Sequence, residues 1–232
     1  MSRRLQDNLD ALKAVIHKAA ATSLRKPEDI TLIAVSKTRQ ADEVRALHEL
    51  GVIDFGENRV QEAVPKIDSL ADLHLRWHFI GSLQTNKVRQ ILPKAGLIHS
   101  LDRWSLAKEL QRCASNLDRP ARCLVQVNIA GEASKSGLAP QEVKEFVQTV
   151  AAEHQQVQIC GLMTIAPQVS NPEEVRGYFR QMKSLFDELA THARGYEMKH
   201  LSMGMSGDFQ VAIEEGATMV RIGTAIFGRR EG

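Results

Sequence analysis

A repeated alternation constrains this chain more than any other feature. Short apolar or β-branched runs occur eight times, over residues 31–37, 52–55, 76–80, 96–100, 123–129, 157–163, 198–203 and 219–223. Helical spacing follows most of them, over 41–50, 59–70, 87–92, 104–116, 141–153, 173–193 and up to Glu215. Pro65 is expected to shorten or kink the second of these helices. A further amphipathic helix precedes the first run, with Leu5, Leu9, Leu12, Val15, Ile16 and Ala19 at helical spacing over 3–21. Strict β–α alternation calls for parallel strands joined by helical crossovers. Eight units without a composition break predict one domain over 1–232, a single closed (β/α)8 TIM barrel with an extra N-terminal helix. A doubly wound open sheet is the rival. It would more often carry a Gly-rich turn after its first strand, and Ser36-Lys-Thr-Arg39 is not one.

Charge narrows the function classes. Lys+Arg of 30 against Asp+Glu of 28 leaves +2, too near balance to argue for nucleic acid or a membrane surface. No run of 18 apolar residues appears, and the first ten residues lack the apolar core of a secretory signal. Cys113, Cys123 and Cys160 form no C-x-x-C pair and are read as ordinary semi-buried thiols. The expectation is a cytoplasmic protein without a structural metal.

The chemistry starts at Thr31-Leu-Ile-Ala-Val-Ser-Lys37, a buried-strand pattern that ends on one amine. Partial desolvation favours the uncharged amine, a nucleophile able to form a Schiff base. A strand-end lysine reaching solvent fits the stretch as well. Polar residues at or just past strand ends converge on one face of a barrel. Here the residues gathered near those ends include Lys37, Asn58, His78, Asn128, Met163, Ser202, Arg221, Gly223 and Thr224. The segment Arg221-Ile-Gly-Thr-Ala-Ile-Phe-Gly228 offers a glycine at a strand end and a one-turn helix start, a setting that attracts phosphate. Ser202, with Ser206 beyond it, would add hydroxyls; a tight turn with no ligand is the alternative. Arg221 interrupts an apolar strand and needs a partner if it points inward, while a surface position remains open. His74 and His78 sit at i,i+4 on what reads as a strand, so packing is favoured over metal ligation. Lysine, phosphate cradle and cation together suit pyridoxal 5'-phosphate, because strands one and eight adjoin in a closed barrel.

The chain closely resembles the pyridoxal 5'-phosphate homeostasis proteins, the YggS/PROSC family, from about residue 2 to 228. The resemblance is carried by Leu32-Ile-Ala-Val-Ser-Lys37, Phe55-Gly-Glu-Asn58, Trp77-His-Phe-Ile-Gly81, Asn86-Lys87, Ser134-Lys-Ser-Gly137, Gly161-Leu-Met163, Leu201-Ser-Met-Gly-Met-Ser206 and 219–228. It implies a barrel similar to the N-terminal domain of alanine racemases. It further implies a Schiff base at Lys37, phosphate held by Ser202 with Gly223 and Thr224, Arg221 facing the pyridine nitrogen, and Asn58 in the cofactor site. Lys135 resembles a lysine implicated in handling the cofactor. The family is linked to vitamin B6 balance and amino- and keto-acid homeostasis, without an established reaction.

Two functions follow: a handler that holds and passes on the cofactor, with apo-enzymes as recipients, or a racemase-like enzyme. A permanently charged Arg221 at the ring nitrogen weakens the electron sink that racemisation needs. The only tyrosines, Tyr178 and Tyr196, lie in or after the long helix and away from the mouth, and the chain ends at Gly232 without the second domain of alanine racemases. The expectation is therefore a monomeric cofactor handler with no catalytic residue. A cofactor-free lysine aldolase shares Lys37 and would be colourless.

Overall fold

The computed structural model describes residues 2–228; residue 1 and residues 229–232, part of the expected domain span, lie outside the described residues. Eight parallel strands close into a barrel in sequence order. They are β1 (Thr31–Val35), β2 (Asp54–Glu57), β3 (Arg76–Phe79), β4 (Leu97–Leu101), β5 (Ala121–Val127), β6 (Val157–Thr164), β7 (His200–Ser202) and β8 (Met219–Ile222). The seam closes where Ile33 of β1 pairs with Arg221 of β8. Helix α1 (Ser2–Thr22) precedes the barrel, followed by α2 (Ala41–Glu49), α3 (Val60–Ser69), α4 (Val88–Ile91), α5 (Trp104–Leu117), α6 (Val143–Glu153), α7 (Arg176–Thr191), α8 (Phe209–Glu214) and α9 (Thr224–Phe227).

Alternation along each strand separates two interiors. Ile33, Leu97, Leu124, Cys160, Met163 and Met219 pack inside the lumen. Ala34, Phe55, Phe79, Val220 and Ile222 face outward into the larger core beneath the helices. Burial on both faces explains why the strands read as nearly unbroken apolar runs. Helix α1 lies over the seam: Leu5, Leu9, Leu12 and Ile16 are buried, and Asn8 Nδ2 donates to Ile226 O at 2.8 Å. Arg4 Nη2 reaches Phe227 O at 3.4 Å, which ties the same helix to the end of α9.

Several boundaries differ from the sequence pattern. The first run ends as strand at Val35, so Ser36 and Lys37 belong to the turn beyond it. The second strand starts two residues later than expected and takes in Gly56 and Glu57. Both are poor strand formers, retained because they are buried. A Cβ on Gly56 would lie 3.0 Å from Ile33 Cγ2, so the lumen leaves that position no side chain. Helix α3 runs through Pro65, which is neither its end nor its start. The helices expected from Lys87 and Glu173 begin instead with 3₁₀ turns at Thr85–Lys87 and Pro172–Val175. In β6 the register slips between Cys123↔Ile159 and Val125↔Leu162. Gly161 accommodates that bulge with a φ of +146°, and a Cβ there would stand 1.9 Å from His200 O.

Candidate functional site

Lys37 is half-buried in the turn after β1, and three side chains fix that turn. Ser36 points away from the lumen and donates to Glu57 Oε1 at 2.7 Å. Lys66, from α3, donates to Ser36 O at 2.7 Å and to Glu57 Oε1 at 2.6 Å. Glu62 accepts from Lys66 and from the backbone N–H of Thr38. Thr38 has a φ of +64°, a left-handed conformation that a β-branched residue adopts only under constraint. Residues on both sides of Lys37 are thus held, Ser36 by the buried pair Glu57–Lys66 and Thr38 by Glu62, which Lys66 also binds. Burial pushes the Glu57 carboxyl upward, only partly offset by the Lys66 ammonium and the Ser36 hydroxyl. Its Oε2 has no partner among the described residues.

Across the seam, β8 ends at Ile222 and α9 starts at Thr224 after Gly223. A cavity of about 180 Å³ lies between the two strand ends, lined by Val35, Lys37, Arg39, Gly223, Thr224 and Phe227. The structure thus brings together Lys37, Gly223 and Thr224, far apart in sequence. Ser206 is the hydroxyl at this turn, with Ala225 N–H donating to its Oγ at 3.4 Å. Arg39 was not singled out in the sequence. It donates to Gly228 O at 2.9 Å, and its guanidinium carbon lies 5.2 Å from the Phe227 ring centre, so it holds the far end of α9 and adds a cation to the cavity wall.

Arg221 points into the lumen with 4 % of its surface exposed, which settles the surface alternative. Its Nη1 donates to Ser202 Oγ at 2.6 Å and its Nη2 to Thr164 O at 2.8 Å. Burial pulls the guanidinium down to about 10, opposed at longer range by Asp208. The Ser202 hydroxyl is therefore committed to the lumen, where it also meets His99 Nδ1 at 3.0 Å. It is fully buried, whereas Ser206 flanks the start of α9.

The lumen chain continues downward. His99 Nε2 lies 3.0 Å from His78 Nδ1, and His78 Nε2 lies 2.9 Å from Asp54 Oδ1. Arg76, at the barrel foot, also binds Asp54. Burial holds His99 well below its ordinary range, helped by the nearby His78 and Arg221. Burial alone would raise the Asp54 carboxyl, but hydrogen bonds from His78 and Arg76 outweigh it and the net shift is downward. His78 is thus packed in a polar chain rather than placed for a metal, and no group of metal-ligating side chains occurs among the described residues. Strand alternation could have placed His78, His99 and Ser202 on one side of their strands, but the links between strands are invisible in sequence.

The remaining expected residues sit apart. Asn58 lines a neighbouring open cleft with Arg59, Ser82 and Lys87. Its backbone oxygen is packed so closely by Gly81 that a Cβ there would stand 2.1 Å away. Asn128 braces the β5 loop, donating through Nδ2 to Glu132 O at 2.9 Å. Lys135, in that loop, pairs with Glu132 at 2.6 Å and donates to Ala166 O at 3.1 Å. Tyr196 is buried in the outer core and donates to Leu189 O, and Tyr178 packs against the same core. The three cysteines are free and fully buried rather than semi-buried, and burial raises the Cys123 thiol. Among the described residues no helix is long and apolar enough to cross a membrane.

The barrel and its lysine-bearing seam define a class. Residues 8–231 match the family described as alanine racemase, N-terminal domain. The chain is 47 % identical over 218 residues to the pyridoxal phosphate homeostasis protein of Aquifex aeolicus, covering 93 % of this chain and 94 % of that one. It is 42 % identical over 229 residues to the Escherichia coli K12 protein of that name, with 97 % and 96 % covered. Among solved structures, PipY of Synechococcus elongatus with pyridoxal phosphate bound superposes with a TM-score of 0.84 at 37 % identity, over 97 % of this chain and all of that one. An alanine racemase of Clostridium difficile, at 16 % identity and a TM-score of 0.78, shares the fold over 99 % of this chain and 60 % of its own. The chain belongs to the pyridoxal phosphate homeostasis protein family.

Proposed function

We propose that this protein binds pyridoxal 5'-phosphate at the β1–β8 seam and acts as a cytoplasmic, monomeric holder of the cofactor in vitamin B6 and amino/keto-acid homeostasis, with cofactor-dependent apo-enzymes as recipients. The observation that carries it is the small cavity in which Lys37 shares a wall with Gly223 and Thr224. The residues present fit the group. Lys37 supplies a primary amine for a reversible Schiff base. A Cβ on Gly223 would lie 3.4 Å from Val35 O, so this wall is backbone, and backbone can approach a phosphate closely. Arg39 and the start of α9 add positive potential there. Ser206, standing at α9, takes the hydroxyl role first expected of Ser202, while Ser202 acts through Arg221. Asn58 would border the site from the adjacent cleft, and Lys135, held by Glu132 in the β5 loop, would act on cofactor outside the seam.

When bound, the cofactor supplies an electrophilic carbon and an electron-withdrawing ring. The chain's own residues limit that withdrawal. Arg221 is always a donor and remains protonated at neutral pH, so a ring nitrogen facing it stays unprotonated. The tyrosines belong to the outer core and offer the lumen no opposing acid. Both points favour holding over racemisation.

The test is an absorbance spectrum before and after borohydride, followed by peptide mapping. A yellow band that bleaches, with the reduced adduct on Lys37, is the expected result. Lys37→Ala should lose the adduct entirely and keep its thermal unfolding temperature. An adduct on another lysine would remove the anchor assignment, and a colourless protein that takes up no added cofactor would leave aldolase-type lysine chemistry.

A further inference from the structure

Arg221 poses an electrostatic problem: a buried cation is costly, and no carboxylate touches it among the described residues. We infer that Asp54, at the opposite end of the lumen, is the anion on which a hydrogen-bond chain from Arg221 ends. The Ser202–His99–His78 chain between them then acts as a positioning device that fixes the face Arg221 turns to the barrel mouth. The link to the cofactor rests on the function proposed above, but the hydrogen positions within the chain do not.

Counting hydrogens gives the chain a single direction. Arg221 can only donate, so Ser202 Oγ accepts from it. The one hydrogen of the buried Ser202 hydroxyl then has His99 Nδ1 as its acceptor. With Nδ1 accepting, a neutral His99 carries its hydrogen on Nε2 and donates it to His78 Nδ1. His78 must then hold its own hydrogen on Nε2 and donate to the Asp54 carboxylate, which only accepts. Every hydrogen bond points from the cation to the anion. The reverse order would leave the Ser202 hydrogen without an acceptor in a fully buried position. Polarised in one sense, such a chain strengthens along its length and links the two charges through neutral groups. Arg76 also pairs with Asp54, but it is 62 % exposed, so water weakens its claim on the carboxylate. Asp208 is the carboxylate whose field acts on Arg221 itself, and His200 is the further titratable group whose field reaches His99.

The chain also explains why Ser202 is unavailable as a free hydroxyl. Its oxygen anchors Arg221 from below, while Thr164 O anchors it from the β6 side, and the Nε–H has no partner among the described residues. Asp54, His78 and His99 therefore act on the mouth through Arg221 without reaching it.

Long-range proton–nitrogen correlation spectra of the cofactor-free, ¹⁵N-labelled protein read the ring hydrogens directly, with His78 and His99 assigned by His78→Asn and His99→Asn. The expected result is Nε2–H on both rings at neutral pH, with the His99 hydrogen unchanged from about pH 6 to about pH 8. Nδ1–H on His99, or a charged His99 ring in that range, overturns the proposal. Binding provides the second measurement. Asp54→Asn keeps an oxygen to accept from His78 but removes the charge, so both tautomers persist. Asp54→Leu removes both, and pyridoxal phosphate should bind about tenfold more weakly than to the unaltered protein, with Asp54→Asn between them. Unchanged affinity in both variants overturns the positioning role. If Asp54→Leu does not fold, Asp54→Asn and the tautomers still decide. Failure of the unaltered protein to bind pyridoxal phosphate would sink the reading of the previous subsection, leaving the ring hydrogens to judge this one.

Discussion

Between β2 and α3, Glu57 and Lys66 touch directly at 2.6 Å, and each is buried. In the lumen, Asp54 and Arg221 carry the same two charges with three neutral side chains between them. The outer pair gains its attraction at close range and braces the Ser36 backbone beside Lys37. The lumen chain forgoes that attraction and leaves Arg221 anchored yet without a contacting carboxylate among the described residues. A carboxylate in direct contact with Arg221 would compete for the donors that the mouth needs. The contrast is one between holding a turn and presenting a charge.

Breaking the outer pair should have the largest effect. Lys66→Met leaves a buried Glu57 carboxylate without its cation and should cost about 3–5 kcal/mol, measured by urea unfolding. Adding Glu57→Leu should recover most of that loss. In the lumen, Arg221→Met removes a buried cation that lacks a contacting anion, so its stability cost should be well below that of Lys66→Met. Its cofactor affinity should fall nonetheless, and a matched loss of both quantities would erase the distinction drawn here.

Acid should separate the two systems by sign. Asp54 is held below its ordinary value, so it contributes stability above the unfolded-state value of 3.8 that is lost as pH falls through its folded value. Glu57 is held above 4.5, so its ionisation opposes folding and acid relieves it. Thermal unfolding from pH 6 downward should therefore steepen in Glu57→Gln and flatten in Asp54→Asn. Histidines add to the acid-side loss. His99, well below 6.5, and His200, pushed down to about 4 chiefly by burial, refuse protons that the unfolded chain accepts. Stability should accordingly start to fall below about pH 6.5, and His200→Gln should remove part of that slope. The smallest effect belongs to an exposed control. Lys144 and Glu188 pair at 3.0 Å with about half of each side chain in solvent, and Lys144→Ala should change stability by less than about 1 kcal/mol.

The fold was legible because periodicity is a local signal: eight apolar runs separated by helical spacing leave few closed arrangements. Lys37 and Gly223 stand out in the sequence as a charge and a glycine at the end of apolar runs, Arg221 as a charge within one, and Thr224 as the start of the helix that follows. Less legible were pairings set by closure. Ser202 looked like a phosphate ligand because it ends a strand beside β8, and only the direction of its hydroxyl shows its tie to Arg221 and His99. Arg39, Glu57 and Lys66 carry no such signal in the sequence. The burial of Glu57 and Lys66 depends on how α3 packs against β2, which no local pattern encodes. Gly56 and Gly161 follow the same logic, being forced by neighbours across the sheet.

The junction of α1 with α9 has a consequence in time. During synthesis, β1 and the Lys37 turn emerge long before β8 exists, and α1 must wait for Ile226 and Phe227 to accept its Asn8 and Arg4 side chains. A growing chain thus displays the amine without the opposite wall, and the seam is assembled only after its distant strand has left the ribosome. On the function proposed above, firm capture of the ligand is postponed to the final stage of folding, so a ribosome-bound intermediate would hold the cofactor no better than any exposed lysine does.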